Sequence, residues 1–436
     1  MPVYEEEMLR MKVVILNYTG FRKNWGSQAT SDGLYRWLQN VLGSQNIESL
    51  DVIPYPPSHV LDWIVKFFLG GFIRKLLASS KPASYCLCLL DLLCRLRFGQ
   101  QYKRMLWADI IFFQGEGSIV DDSCVRSLRI LCLPFLAKHR YNKKVVSCNQ
   151  TIVTTSQTKS ILKNVFSTFD LNYVREPETL NMLTADGWTK VGFMPDHAFL
   201  SVVQGKDYHL KLEKQYFCVS GSASIQKYDV VAYVTAIHAI RQQYELEPVF
   251  LASRRSDRIV ARTYKKLFSN NVVEITSNEA PSIEYLYHIL ANAEFVIGGR
   301  YHTSIAALIN STPVILTKSN SHKSNGLAQM MNGAAPFVDY ADLKQVLKTV
   351  QEIISHIELY RDGISEALKI INTQYRQAAS QIFEFVESQK FLNKKHKSNN
   401  SISWITYRKD NRKSYTNIKV QLSLKANMSA FDRDLN

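Results

Sequence analysis

Short apolar runs recur along most of this chain, and each gives way to a turn and then to a stretch of helical spacing. The run at 12–17 (Lys-Val-Val-Ile-Leu-Asn) is short and rich in β-branched residues, so it reads as a buried strand. A loop with Gly20 and Gly26 follows, and 27–42 then places Ala29, Leu34, Trp37, Leu38 and Val41 at helical intervals. A second strand is expected at 51–54. Strand, helix and strand in this order predict parallel sheet covered by helices. The pattern resumes with strands at 109–113, 144–148, 171–174 and 190–194, alternating with helices at 122–139, 157–166 and 177–185. Pro177 is well placed at the first position of its helix. A polar stretch at 204–214 reads as a linker. A second series has strands at 216–220, 248–251, 272–275, 295–298 and 313–316, with helices at 230–244, 258–268, 282–291 and 303–308. Residues 342–387 have helical period.

The fold expected is α/β, with two Rossmann-like doubly wound domains. They would span 11–204 and 205–340, followed by C-terminal helices at 341–387 and a basic, mobile tail at 388–436. A chain of 436 residues can bury such cores without disulfide staples. Its seven cysteines are odd in number and include no Cys-x-x-Cys pair, which predicts buried free thiols in a reducing compartment and no zinc site. The acidic opening at 1–10 reads as no secretory leader, so a cytoplasmic location is expected.

The net charge of +15 favours anionic partners. Much of it lies at the end, because 387–436 holds eleven Lys/Arg against four Asp/Glu. No nucleic-acid module accompanies that tail, and no nucleic-acid partner is expected. The stretch 58–98 interrupts the α/β order with two apolar runs broken by Asp62, Lys66, Arg74 and Asp91, too short to span a membrane. It reads either as a helical insertion packed on the first domain or as a membrane-surface helix, with Trp63, Lys66, Arg74 and Lys75 at the interface.

Ligands of open α/β sheets bind beyond the carboxyl ends of the strands, so those turns hold the candidate chemistry. The richest is Phe295-Val-Ile-Gly-Gly-Arg-Tyr-His-Thr-Ser304. Gly298 and Gly299 allow close backbone approach, and a helix beginning near Thr303 and Ser304 offers free N–H groups to an anion. Arg300 supplies a planar fork for carboxylate or phosphate, and His302 a proton donor or acceptor near neutral pH. Gly115-Glu-Gly-Ser-Ile-Val-Asp-Asp122 permits backbone contact at Gly115, Gly117 and Ser118 and offers Asp121 and Asp122 as bases; it lacks the third glycine of a dinucleotide fingerprint. Arg175 ends a strand, Asp196 can orient a base or cap a helix, Asn24 and Gly26 form the first glycine turn, and Lys323 is a further cation. Ordinary caps and surface ion pairs would use several of the same residues. No Walker loop, His-Glu-x-x-His or Gly-x-Ser-x-Gly motif is present.

Five turns in this order resemble those of the polysaccharide pyruvyl transferases. They are Asn24-Trp-Gly-Ser27, the glycine run ending at Asp122, Arg175-Glu176, Asp196-His-Ala-Phe199 and Gly298-Gly-Arg-Tyr-His302, with Thr312-Pro-Val-Ile315 and Lys323 beyond. The resemblance covers about 12–340 and is specific mainly at the Gly-Gly-Arg-x-His turn. It implies a glycosyltransferase-B-like fold with a cleft between the halves, phosphoenolpyruvate as donor to the second half, and a sugar or glycan acceptor, lipid-linked or free, on the first. The product would be a pyruvate ketal, with phosphate released and no cofactor. On this chemistry His302 is the expected acid, Asp122 the base and Asp196 its reserve. Arg300, Arg175, Lys323, Gly298, Gly299, Thr303, Ser304, Gly115, Gly117, Ser118, Asn24 and Gly26 would hold substrate. Three positions depart from the pattern. Glu116 breaks the glycine run and is expected to repel an anionic donor, Ser27 replaces an acid, and the 217–221 strand ends without arginine. The alternatives are a nucleotide-sugar glycosyltransferase of the same fold and a non-catalytic member binding glycan or the inner face of a membrane.

Overall fold

The computed structural model describes residues 10–44, 46–57, 59–119, 124–156, 158–201, 212, 214–222, 229–268, 271–279 and 282–399. Two wholly parallel sheets organise them. The first contains β1 (Met11–Tyr18), β2 (Ile47–Pro54), β3 (Ile110–Ile119), β4 (Lys144–Ile152), β5 (Leu171–Val174) and β6 (Gly192–Phe193), in the order β2-β1-β3-β4-β5-β6. The second contains β7 (Tyr216–Ser220), β8 (Glu247–Ala252), β9 (Val273–Thr276), β10 (Val296–Gly298) and β11 (Val314–Leu316), in the order β11-β10-β7-β8-β9. Strand order reverses between β1 and β3 and between β7 and β10. Such switch points are where open sheets receive ligands.

The helices are α1 (Trp25–Leu42), α2 (Val60–Ile64), α3 (Gly70–Leu77), α4 (Ser84–Trp107), α5 (Cys124–Tyr141), α6 (Lys159–Thr168) and α7 (Pro177–Ala185) in the first half. The second has α8 (Val230–Tyr244), α9 (Arg258–Leu267), α10 (Ile283–Ala291), α11 (Tyr301–Leu308), α12 (Lys323–Met330), α13 (Leu343–Ser355) and α14 (Ile357–Asn399). A π-helical turn at Val65–Leu69 joins α2 to α3.

Alternation along the strands divides the core. Val14, Leu16, Ile111 and Phe113 face α4, α5 and α6. Phe217, Val219, Phe250 and Ile297 face α8, α9 and α13. The opposite residues, such as Val13, Ile15 and Phe112 in one sheet and Cys218, Val249 and Val296 in the other, share one continuous core with α1, α10, α11 and α14. The seam between the sheets is therefore packed hydrocarbon. Helix α14 also returns to the first half, where Gln381 Oε1 accepts from Tyr173 Oη (2.8 Å).

Several boundaries differ from the sequence expectation. Gln114-Gly-Glu-Gly117 is part of β3 rather than a turn after it, since pairing with β4 continues to Ile119 opposite Ile152. Glu116 takes a left-handed φ of 47° inside this strand, so the glycine run marks a distorted edge and not a strand end. Helix α11 starts at Tyr301, two residues early, and α12 was not expected because its opening Lys-Ser-Asn-Gly is polar. The 190–194 strand shrinks to two residues. Helix α14 passes 388, the expected start of the tail, because no breaker interrupts it. The 204–214 linker lies almost wholly outside the described residues.

Candidate functional site

The site forms where α1, the turn after β6 and the first turn of α11 meet across the seam. Asn24 caps α1, its Oδ1 accepting from Ser27 N (3.0 Å), while its Nδ2 reaches Ser253 O (3.5 Å) in the other half. This sets the first turn of α1 against α11. Residue 26 must be glycine there, because a Cβ would lie 2.3 Å from His302 Nδ1. One turn further, Thr30 Oγ1 donates to Asp196 Oδ1 (2.8 Å) and so accepts from His302 Nε2 (2.9 Å). The neutral ring thus carries its proton on Nε2 and leaves Nδ1 as the nitrogen free for proton transfer.

Asp196 is the anchor. Its Oδ2 accepts from Arg175 Nη1 (2.7 Å) and lies 3.4 Å from His302 Nε2. Its Oδ1 also caps the following 3₁₀ turn through Ala198 N (2.9 Å), and its carbonyl accepts from Tyr375 Oη of α14 (2.5 Å). Burial alone would raise the Asp196 carboxyl, but His302 and Arg175 hold it well below the usual carboxylate range. It is a fixed anion, unsuited to taking protons near pH 7. Arg175 is itself buried. Its Nε donates to Thr151 Oγ1 (3.0 Å) and Glu176 Oε1 (2.9 Å), and its guanidinium lies over the Tyr301 ring at 4.6 Å. Burial would lower its pKa, and Glu176 and Asp196 more than reverse this. Burial lowers the His302 pKa, Asp196 partly offsets that, and Arg175 and Lys323 push it down again. His302 is therefore neutral near pH 7. His197, next in sequence to Asp196, is a packing residue: burial drops its pKa to about 3, and its ring meets Trp37 edge-on at 4.8 Å.

At its switch point the second half gathers cationic and hydroxyl side chains. A Cβ at Gly298 would lie 2.1 Å from Ser220 Oγ, so β7 and β10 approach closely where they end. Arg300, the residue capping α11, directs Nε (3.0 Å) and Nη2 (2.5 Å) to Asp257 Oδ1, which fixes its plane and leaves Nη1 without a partner among the described residues. Ser220, Ser222, Ser321 and Ser324 have buried hydroxyls without hydrogen-bond partners among the described residues. Lys323, at the start of α12, also has no hydrogen bond there. Burial, then Arg175 and Arg300, bring its pKa down to about 7. Buried polar groups are normally satisfied, so these hydroxyls stand out among the described residues. Helix α12 is held against the first half by Thr179 Oγ1, 2.6 Å from His322 Nε2, and by Gly326 packed on Glu176.

A third group lies at the β1/β3 switch point. Glu116 Oε1 accepts from Thr19 Oγ1 and from Gln114 Nε2 (2.8 Å), and Gln114 Nε2 also donates to Ser31 Oγ (2.8 Å). Burial raises the Glu116 carboxyl to about 7, against the pull of Arg22 and Arg175. Glu116 is thus about half ionised near neutral pH and presents only part of the negative charge expected from sequence.

Of the expected residues, the structure brings together His302, Asp196, Arg175 and Gly26, with Lys323, Gly298, Gly299 and Arg300 on the second-half side. Asn24 is a cap. Thr303 and Ser304 are buried within α11, and the Ser304 amide is spent on Arg300 O (3.0 Å) rather than on a ligand. Gly115 lies tight against Gln150, and Gly117 faces Arg175 Nη2. Asp121, Asp122 and the Ser118 side chain lie outside the described residues. Sequence reasoning did not single out Thr30, Tyr375, Asp257 or the four serines. Thr30 follows the Asn-x-Gly turn by one helical turn and was open to detection; Tyr375 carries no local signal at all.

Two parallel doubly wound sheets joined across a ligand-facing seam define the glycosyltransferase-B class of fold. MnaA of S. aureus, solved with UDP, is similar, with 13% identity, 82% of this chain and 91% of that chain covered, and a TM-score of 0.52. The α,α-trehalose 6-phosphate synthase of Burkholderia multivorans is likewise similar, at 9% identity, with 91% of this chain and 100% of that chain covered and a TM-score of 0.56. At these identities the likeness concerns the fold. No curated protein matches the sequence. The polysaccharide pyruvyl transferase family model matches residues 24–321, and the chain belongs to that family.

Proposed function

We propose that the protein transfers the enolpyruvyl group of phosphoenolpyruvate to two hydroxyls of a sugar, in a glycan or its precursor, forming a pyruvate ketal and releasing phosphate. Family membership supports a transferase. The observation that carries the donor is the set of Lys323, Arg300 and the buried hydroxyls of Ser220, Ser222, Ser321 and Ser324, unpartnered among the described residues, which suits a ligand bearing both carboxylate and phosphate. Its arrival would raise the pKa of His302 and Lys323, charging the acid when substrate is present.

His302 then gives the Nδ1 proton to the methylene carbon, and the double-bond electrons form that C–H bond. The adjacent carbon becomes cation-like and is attacked by one sugar hydroxyl, which loses its proton to Glu116 or Asp122. Attack by the second hydroxyl with cleavage of the C–O bond to phosphate completes the ketal, and the second proton leaves with phosphate. Asp196 and Thr30 keep the imidazole oriented throughout.

The nucleotide-sugar reading draws on a cavity at the ends of β8 and β9, lined by Arg254, Arg258, Thr276 and Ser277. Its volume of about 140 Å³ is small beside the roughly 300 Å³ lower bound of ligand pockets. Phosphate release from phosphoenolpyruvate, measured over a panel of saccharides with mass analysis of the acceptor, tests the proposal. Acceptor-dependent phosphate and a ketal product, both lost in His302→Ala, are expected. Turnover of a UDP-sugar with phosphoenolpyruvate inert would overturn it.

A further inference from the structure

The insertion between β2 and β3 is apolar on two sides. Leu87, Leu90, Cys94, Phe98 and Met105 of α4 face the core. A second stripe on the same helix, Tyr85 (77% exposed), Leu89, Leu92 and Leu96 (67%), faces outward at intervals of four, three and four residues. Beside it, Val60, Trp63, Ile64, Phe67 and Phe68 of α2 and the following π-turn form another outward stripe, with Phe68 82% exposed. A cavity of about 260 Å³, lined by Leu61, Val65, Leu90 and Phe98, separates the two helices. Isolated exposed apolar residues are ordinary, but two adjacent stripes of helical period are not.

The charge around them selects the partner. Residues 58–107 hold eight Lys/Arg and two Asp/Glu. Both acids are already paired, Asp62 with Arg97 (2.6 Å) and Asp91 with Arg95 (2.8 Å). Arg74, Lys75, Lys81, Lys103 and Arg104 are exposed and give the insertion a positive rim. A second protein would need a matching apolar and acidic face. A bilayer with anionic headgroups offers both properties in one plane, hydrocarbon beneath negative charge. Among the described residues no helix is long and apolar enough to cross a membrane.

We propose that the α2–α4 insertion is a membrane-docking surface that lies in the headgroup layer of an anionic bilayer, with Trp63, Phe67, Phe68, Tyr85 and Leu96 entering the acyl boundary. The surface is independent of the transfer chemistry, and its test uses no activity. The full-length protein is sedimented with vesicles of phosphatidylcholine, with and without phosphatidylglycerol, in low and high salt. The expected result is partitioning onto the phosphatidylglycerol vesicles, weakened by salt. Phe67→Ser/Phe68→Ser should lower it at least tenfold, and Lys75→Gln and Lys81→Gln roughly fivefold each. These four side chains are outside the core or half-exposed, so a circular-dichroism melt should be unchanged. No sedimentation with either vesicle, or equal binding by the Phe67→Ser/Phe68→Ser variant, would overturn the proposal. So would a lipid-free dimer that the same variant dissolves, which would assign the stripes to a second copy.

Discussion

Two arginines, one in each half, are held in opposite ways. Arg175 is closed: its bonds go to Asp196, Glu176, Thr151 and the Tyr301 ring, and its side chain is 1% exposed. Arg300 is held by Asp257, and on its side of the site Lys323 and the hydroxyls of Ser220, Ser222, Ser321 and Ser324 have no hydrogen-bond partner among the described residues. The first arrangement is complete without ligand and positions His302 through Asp196. The second is incomplete, and an anion would complete it. The difference is between a charge fully paired within the fold and one proposed to bind substrate.

The largest expected effect breaks the closed side. Arg175→Met leaves Asp196 and Glu176 as uncompensated buried anions and should cost about 3–5 kcal/mol in urea unfolding. Arg300→Ala strands one buried carboxylate, Asp257, rather than two, so it should cost less than Arg175→Met in the same experiment while losing affinity for phosphoenolpyruvate. Equal destabilisation by both would erase the distinction. Next come the proton-transfer groups. His302→Ala should lower kcat by roughly 10²–10⁴ with the fold intact.

Glu116→Gln tests the reading of its raised carboxyl. Its folded pKa of about 7 lies above the usual carboxylate value, so the folded state holds the extra proton between the two values. Stability from this proton is full below the unfolded pKa and is lost as pH rises to about 7. Glu116→Gln should abolish that loss in a series of melts across pH, and should remove the acidic limb of the rate profile if Glu116 takes the hydroxyl proton.

Lys323→Met sharpens the open side. With a free-state pKa of about 7, Lys323 is half charged near neutrality and is charged fully when the anion binds, so affinity should fall as pH rises above 7. The variant should bind roughly ten- to a hundredfold more weakly, from loss of a charged hydrogen bond, and with a shallower pH slope by titration calorimetry. The smallest effects belong to Ser220→Ala and Ser324→Ala. Their hydroxyls have no partner, so stability should hold or rise slightly, while donor affinity falls by about 0.5–1.5 kcal/mol each. A loss of stability instead would mean the hydroxyls serve the fold.

The alternation of strands and helices was legible because local period carries it, and the turns at Arg175, Asp196 and Gly298–His302 do follow the carboxyl ends of strands. The Gly-Gly-Arg-x-His turn was legible from its residue types, and its Gly298 and Arg300 do sit at the β7/β10 switch point. What escaped was anything set by tertiary partners. Arg175 and Arg300 look alike in sequence, and only burial separates them. Glu116 reads as a charge until its desolvation is known. Tyr375 reaches Asp196 from a helix 179 positions away, with no local mark. Gln114-Gly-Glu-Gly117 misled because glycine signals turns and strand distortions alike.

The most direct test of the open-site reading is calorimetric titration of phosphoenolpyruvate into the protein near pH 7.5, in buffers of different ionisation enthalpy, with UDP as the rival ligand. Binding of phosphoenolpyruvate with net proton uptake, lost in Arg300→Ala and reduced in Lys323→Met, is the expected result. Binding of UDP alone, or phosphoenolpyruvate binding that is indifferent to both variants and takes up no proton, would contradict it.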